Sequence, residues 1–315
     1  MPKSRKLEEL QAQLNQIRAE PTTDEAITVL RQILVSKHNI AIAQAARIIR
    51  DADLRELMPD LVTAFNRLMQ NPATADPNCL GKKAIAEALY HLEYSEESLF
   101  LSGIHHVQME PVWGGQVDTA PGLRATCALG LVRMNYPDVM VELADLLADP
   151  ESEARIGAVR ALAYTSDPQA VPLLRLKVQL GDEATVLSEC FAALLRLTPT
   201  SLPLVARFLN QANPQISEMA ALALGESRIP EALPLLQTWW KQTQDADLRQ
   251  TGLLAIAMLR NDAAIEFLLD LIQNGSKPDA QIALAALRIY QDDRELATRI
   301  QQQLDLRPDG FRAEL

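Results

Sequence analysis

Residues Asp149 to Tyr164 read DPESEARIGAVRALAY. Asp149 and Pro150 form a turn, and Glu151 and Glu153 follow where the positive end of a helix dipole favours carboxylates. Arg155 comes next, then Ala158, Ala161 and Leu162, with Ala158 and Ala161 three apart on one helical face. The stretch predicts an amphipathic helix with a narrow face of alanines, which another helix can approach closely.

The same outline recurs along almost the whole chain. With Ala161 as reference, the equivalent positions are Ala46, Ala88, Ala128, Ala193, Ala223, Ala255 and Ala286, at intervals of 42, 40, 33, 32, 30, 32 and 31 residues. Three residues before each anchor stand Ala43, Ile85, Ala125, Ala158, Cys190, Ala220, Gly252 and Ala283, small in every case but Ile85. A fixed period near thirty with such a seam signals a repeat array, each unit a helical hairpin that cannot bury its face alone.

Arg155-x-x-Ala158-x-x-Ala161-Leu162 resembles the second helix of HEAT repeats, especially the short HEAT-like type of phycobilisome lyases. Leu248-Arg249 with Gly252 and Ala255, and Ala220 with Ala223-Leu224-Gly225, carry the same signature. The resemblance covers residues 24 to 290 and implies an all-α, HEAT-like α-α superhelix, a solenoid of helical hairpins with capping helices. It is weak for function, because such repeats serve many unrelated binding roles.

Composition agrees with helix packing through Ala and Leu: 48% of the 315 residues are apolar and only 4% aromatic. Twelve glycines argue against glycine-rich cofactor loops. A net charge of −11 is a poor match to the basic footprint of nucleic-acid binders, so no nucleic-acid partner is expected. The acidity is uneven, since residues 51–150 hold 6 basic and 15 acidic side chains. Cys79, Cys127 and Cys190 form no CxxC and suggest a reducing compartment. MPKSRKLEEL has no apolar h-region, and no apolar run reaches the ~18 residues of a membrane span. The expected setting is cytoplasmic, without a membrane partner.

The pattern divides the chain into an N-terminal capping helix (1–20), three repeats (21–135), five regular repeats (136–291) and a C-terminal cap and tail (292–315). Two surplus segments, 71–78 and 108–122, lie between the first and second helices of consecutive repeats. In a solenoid such turns stack on one edge, so the two loops should be neighbours in space. An almost wholly helical body without strands is expected.

No GxGxxG, GxSxG or HExxH occurs, and no catalytic set is identified. Lys82 fills the repeat position held elsewhere by Arg155 and Arg249, which should pair with turn carboxylates of neighbouring repeats. His106 and Glu110 would share a face if their helix continued that far, giving two metal ligands, fewer than a usual site. No metal or cofactor is expected. Of the pair Trp239-Trp240, one should be core and one partly exposed. Trp113 stands beside Gly114 and Gly115 with Glu110, Asp118, His105 and His106 nearby, and either pins its loop to the scaffold or serves as an exposed anchor.

The leading expectation is a non-enzymatic scaffold or adaptor that binds a protein through Glu110, Trp113, Gly114, Gly115, Asp118, His105 and His106. The resemblance implies a cyanobacterial or plastid setting, with an A-type iron–sulfur carrier or a phycobiliprotein as partner. The Pro111-Val-Trp-Gly-Gly stretch is similar to that cyanobacterial group. The alternative implied by the same resemblance is a phycobilin lyase or isomerase subunit that attaches a tetrapyrrole to a cysteine of its target.

Overall fold

The computed structural model describes residues 2–165 and 167–307; the remainder of the expected tail lies outside them. The chain forms two compact units, Met1–Asp167 and Pro168–Leu315. The first contains α1 (Pro2–Ile17), α2 (Asp24–Leu34), α3 (Asn39–Asp51), α4 (Met58–Met69), α5 (Pro72–Ala75), α6 (Leu80–His91), α7 (Glu97–Ile104), β1 (Met109–Val112), β2 (Gly115–Asp118), α8 (Pro121–Arg133), α9 (Val139–Leu146) and α10 (Ser152–Tyr164). The second contains α11 (Ala170–Leu180), α12 (Ala184–Leu197), α13 (Leu202–Ala206), α14 (Pro214–Glu226), α15 (Ala232–Gln242), α16 (Ala246–Met258), α17 (Asp262–Asn274), α18 (Lys277–Leu287) and α19 (Arg294–Asp305).

Local chemistry sets the helix ends. Side chains of Thr23, Asn213, Asp245, Asn261 and Ser276 accept N–H groups of the helices they precede. Pro121 and Pro214 open α8 and α14, where a missing N–H costs nothing. Left-handed residues follow several second helices, among them Asp53, Glu93 and Asn135, and the N–H of the next residue reaches back to Ile49, Leu89 and Leu131.

The predicted seam is the core. Ala46, Ala88, Ala128 and Ala161 are fully buried as α3, α6, α8 and α10 pack in succession within the first unit. In the second unit α12, α14, α16 and α18 do the same. The approach is close enough to need glycine: a Cβ on Gly157 would fall 2.3 Å from Ala125 Cβ, and one on Gly225 would fall 2.3 Å from the Ala255 carbonyl oxygen. Around these helices the architecture is all-α, as the periodicity predicts.

Three expectations are corrected. The 108–122 segment holds strands: β1 and β2 pair antiparallel, Met109 opposite Asp118 and Val112 opposite Gly115. Trp239 and Trp240 are both buried. Gly252 of α16 leaves room for both rings, while Phe267 of α17 meets Trp240 edge-on at 5.9 Å and Arg249 lies 4.4 Å over its ring, so α15 is covered on two sides. Arg307 is no tail residue: it is buried and donates to the carbonyls of Ile272 and Gly275, clamping the end of α19 to α17.

Candidate functional site

The two long loops meet. Asn78 N donates to Glu110 Oε1 at 2.7 Å, and Gln108 Nε2 donates to the Asp76 carbonyl at 2.9 Å. The stacking of neighbouring repeats therefore brings residues 71–79 and 105–120 onto one rim.

Beneath that rim runs a buried polar network. Asp76, fully buried, accepts the first-turn N–H groups of Gly81 and Lys82 at 2.8 Å each and Asn39 Nδ2 at 3.0 Å. The carboxylate thus caps α6, where the helix dipole favours it. Lys82, also fully buried, places its ammonium 3.2 Å from Asp76 Oδ2, an ion pair lacking the angle of a hydrogen bond. Lys82 does stand where Arg155 and Arg249 stand, but its carboxylate comes from the turn of its own repeat. Arg249 reaches Asp279 of the next repeat, and Arg155 donates, among its bonds, to the Asp149 and Pro150 carbonyls of its own turn.

The base of the hairpin is tied to the same network. Asp118, its side chain 7% exposed, accepts Gln108 N, Ala120 N and Arg124 Nη1. Arg124 also donates to the His106 carbonyl and, through Nη2, to Asp149 Oδ1 at 2.9 Å. Burial alone would raise the Asp118 carboxyl, but these donors outweigh it and hold the group below the usual carboxylate range. Glu110 behaves alike: burial is outweighed by the Thr119 hydroxyl, the Gln108 amide and Asn78 N–H, so its pKa falls. Because Gln108 commits its amide nitrogen to Asp76 and Glu110, its oxygen must accept from His106 Nε2 at 3.2 Å, which fixes that tautomer. Burial pushes the His106 pKa down and keeps the ring neutral.

Above this base the hairpin projects. Its tip is the two-residue turn Trp113–Gly114, with Gly114 at φ +89°, a conformation glycine adopts freely. Trp113 is 103% exposed, so it does not pin the loop to the scaffold. Met109, Val112 and Val117 are exposed beside it, as is Gly115. At the foot of the hairpin lies a cleft of about 210 Å³ lined by Ile104, His105, Val107, Arg124, Glu142, Asp145, Leu146 and Asp149. His105 Nε2 meets Glu142 Oε2 there at 2.7 Å.

The site residues read from sequence therefore separate into two roles. Trp113, Gly114, Gly115 and His105 lie at the surface; Glu110 through Oε1, Asp118 through both oxygens and His106 through Nε2 hold the hairpin. His106 and Glu110 do not share a helix face, because α7 ends at Ile104 and Glu110 lies in β1. Among the described residues no group of acidic, histidine or cysteine side chains has the arrangement of a metal site. The sequence reading missed Asp76, Gln108 and Arg124. A usable signal was the cation in the first turn of α6, α8, α10 and α16, where the helix dipole disfavours positive charge and a carboxylate or carbonyl partner is needed.

The model of HEAT repeats matches residues 116–194 and 201–288, together more than half of the chain. The chain belongs to the HEAT-repeat family. Comparison with curated proteins finds no match. Among solved structures, this HEAT-repeat chain is similar to the complex of CpcE and CpcF of phycocyanin lyase from Nostoc sp. PCC7120, at 18% identity over 76% of this chain and 92% of that one, with a TM-score of 0.40. It is similar to human deoxyhypusine hydroxylase in complex with glycerol at 18% identity, over 78% and 88% of the two chains, with a TM-score of 0.32. Kap121p bound to Pho4p matches at 12% identity over 90% of this chain and 37% of that one, with a TM-score of 0.48. At these scores the likenesses carry no argument about what the HEAT repeats here bind.

Proposed function

We propose that this HEAT-repeat chain is a non-enzymatic scaffold that binds a protein partner through the hairpin rim, with Trp113 as its apolar anchor. One observation carries the reading: a fully exposed tryptophan stands at the tip of a hairpin whose base is locked by buried charge. An aromatic ring left in water costs solubility and gains the structure nothing, whereas a ring held rigidly is well suited to anchor an interface. Rigidity matters because the entropy of ordering the loop is already spent before binding.

The proposed setting is the cytoplasm of a cyanobacterium or a plastid, and the two partner classes implied by the family resemblance are an A-type iron–sulfur carrier and a phycobiliprotein. Calorimetry with each purified candidate tests the reading. Binding of one of them, weakened at least tenfold by Trp113→Ala with helicity unchanged, supports it. Equal affinity of wild type and variant overturns it.

A further inference from the structure

The two outer edges of the hairpin are chemically unequal. In a two-residue hairpin the pair flanking the turn exchanges its ladder hydrogen bonds, here Val112 with Gly115. Alternation then makes Pro111–Gln116 and Met109–Asp118 the non-bonded pairs, and the 3.0 Å bond from Thr119 N to the Gln108 carbonyl fixes the same phase at the base. In non-bonded pairs the backbone polar groups point away from the partner strand. On β1 the outward positions are Met109 and Pro111, and Pro111, which has no N–H, interrupts that edge against further pairing. On β2 they are Gln116 and Asp118, and Gln116 is an exposed residue with both N–H and carbonyl turned outward.

The open edge leads to charge. At the foot of β2, Asp118 is joined by the Arg124 guanidinium to Asp149 in the wall of the cleft, through bonds of 2.7 and 2.9 Å. Glu142 and Asp145 line the same cleft. The surrounding segment, residues 51–150, carries 15 acidic against 6 basic side chains. Arg124 and His105 also line the cleft, Arg124 bonded to Asp118 and Asp149 and His105 to Glu142. Four carboxylates thus stand against one guanidinium and one imidazole, and the net field at the foot of the edge favours a cation.

We propose that the β2 edge takes up an extended segment of a protein partner as a third strand, and that a lysine or arginine of that segment enters the acidic cleft. The inference rests on the hairpin being a partner-binding surface and adds the chemistry of what it takes. Strand residues advance about 3.3 Å each, so the residue two beyond the one opposite Gln116 is level with Asp118. A basic residue two to four positions past the Gln116 partner reaches Glu142, Asp145 and Asp149. Main-chain pairing supplies the grip, while Val117 and Trp113 receive apolar side chains further up the edge.

The test selects binders from a library of random twelve-residue peptides displayed on phage, using the full chain. The selected peptides should share a basic residue at fixed spacing from an apolar one. Gln116→Pro removes the outward N–H without touching a ladder bond and should weaken them at least tenfold; Gln116→Ala keeps the N–H and should leave them unchanged. Glu142→Gln with Asp145→Asn should weaken them tenfold and flatten their salt dependence. Circular dichroism confirms that each variant is folded. If Gln116→Pro binds as well as Gln116→Ala while Trp113→Ala weakens binding, strand addition is wrong and the hairpin reading stands. If Trp113→Ala also binds normally, both fall. Failure to select any peptide above background, or peptides without a basic bias, likewise overturns the inference.

Discussion

The backbone N–H of Asn78 donates to Glu110 Oε1 across 2.7 Å, so one repeat holds the strand of the next. Asn78 sits at φ +60° and Cys79 at +53°, both left-handed. Asparagine tolerates that region better than other side chains, and β-branched residues do not.

Asn78→Val should therefore destabilise the first unit by about 1–2 kcal/mol, while Asn78→Gly costs less. Urea denaturation measures both. Hydrogen exchange at Glu110 and Val117, which are bonded across the ladder, should quicken in the valine variant and stay unchanged in α16. Equal stability of the two variants would show that the turn is not constrained.

Removing the exposed ring should separate binding from stability. Trp113→Ala is expected to weaken partner binding by ~2 kcal/mol or more. Its melting temperature should match wild type, because the ring makes no buried contact. A lower melting temperature with unchanged affinity would assign the ring to the scaffold.

The Asp118 carboxyl is held below its ordinary value of 3.8, so its ion pair with Arg124 stabilises the fold above that pH and is lost as pH falls through the lower folded value. Asp118→Asn should cost about 2–3 kcal/mol at pH 7, because Arg124 keeps Asp149. The gap between variant and wild type should narrow only below pH 3.8 and close once the wild-type carboxyl is protonated. Thermal melts of both proteins from pH 7 to pH 2.5 give the profile; a gap that does not begin to narrow below pH 3.8 contradicts it.

The repeat seam tolerates no added atom at its tightest points. Gly225→Ala would press a methyl against the Ala255 backbone, and Gly157→Ala would press one against Ala125. Each should destabilise by about 1–3 kcal/mol. By the same packing argument Ala158→Leu and Ala220→Leu should do likewise. Unchanged denaturation midpoints would mean that the helices can slide apart without loss.

The helices were legible because burying a stripe of alanines demands a period, and every anchor from Ala128 to Ala286 kept it. The neighbourhood of the two loops followed from stacking alone. The hairpin was not legible: Pro111 interrupts β1, each strand is four residues long, and the tip is Trp113–Gly114 rather than a strong turn pair. The twin burial of Trp239 and Trp240 also escaped, since adjacent residues diverge around a helix and only the second cover from α17 buries both. The Asp76–Lys82 pair spans the left-handed turn at Asn78 and Cys79, which no spacing rule anticipates.

The hairpin's anchorage sets how far it could be moved to another scaffold. Its foot leans on Asn78 and Asp76 from the repeat before and on Asp149 from the repeat after. A graft of residues 105–120 alone would leave Arg124 and Asp149 behind, strip Asp118 Oδ2 of its donor and remove one of the three donors to Glu110 Oε1. The smallest portable piece runs from α4 to the start of α10, so the hairpin can be transplanted only together with the two turns that flank it.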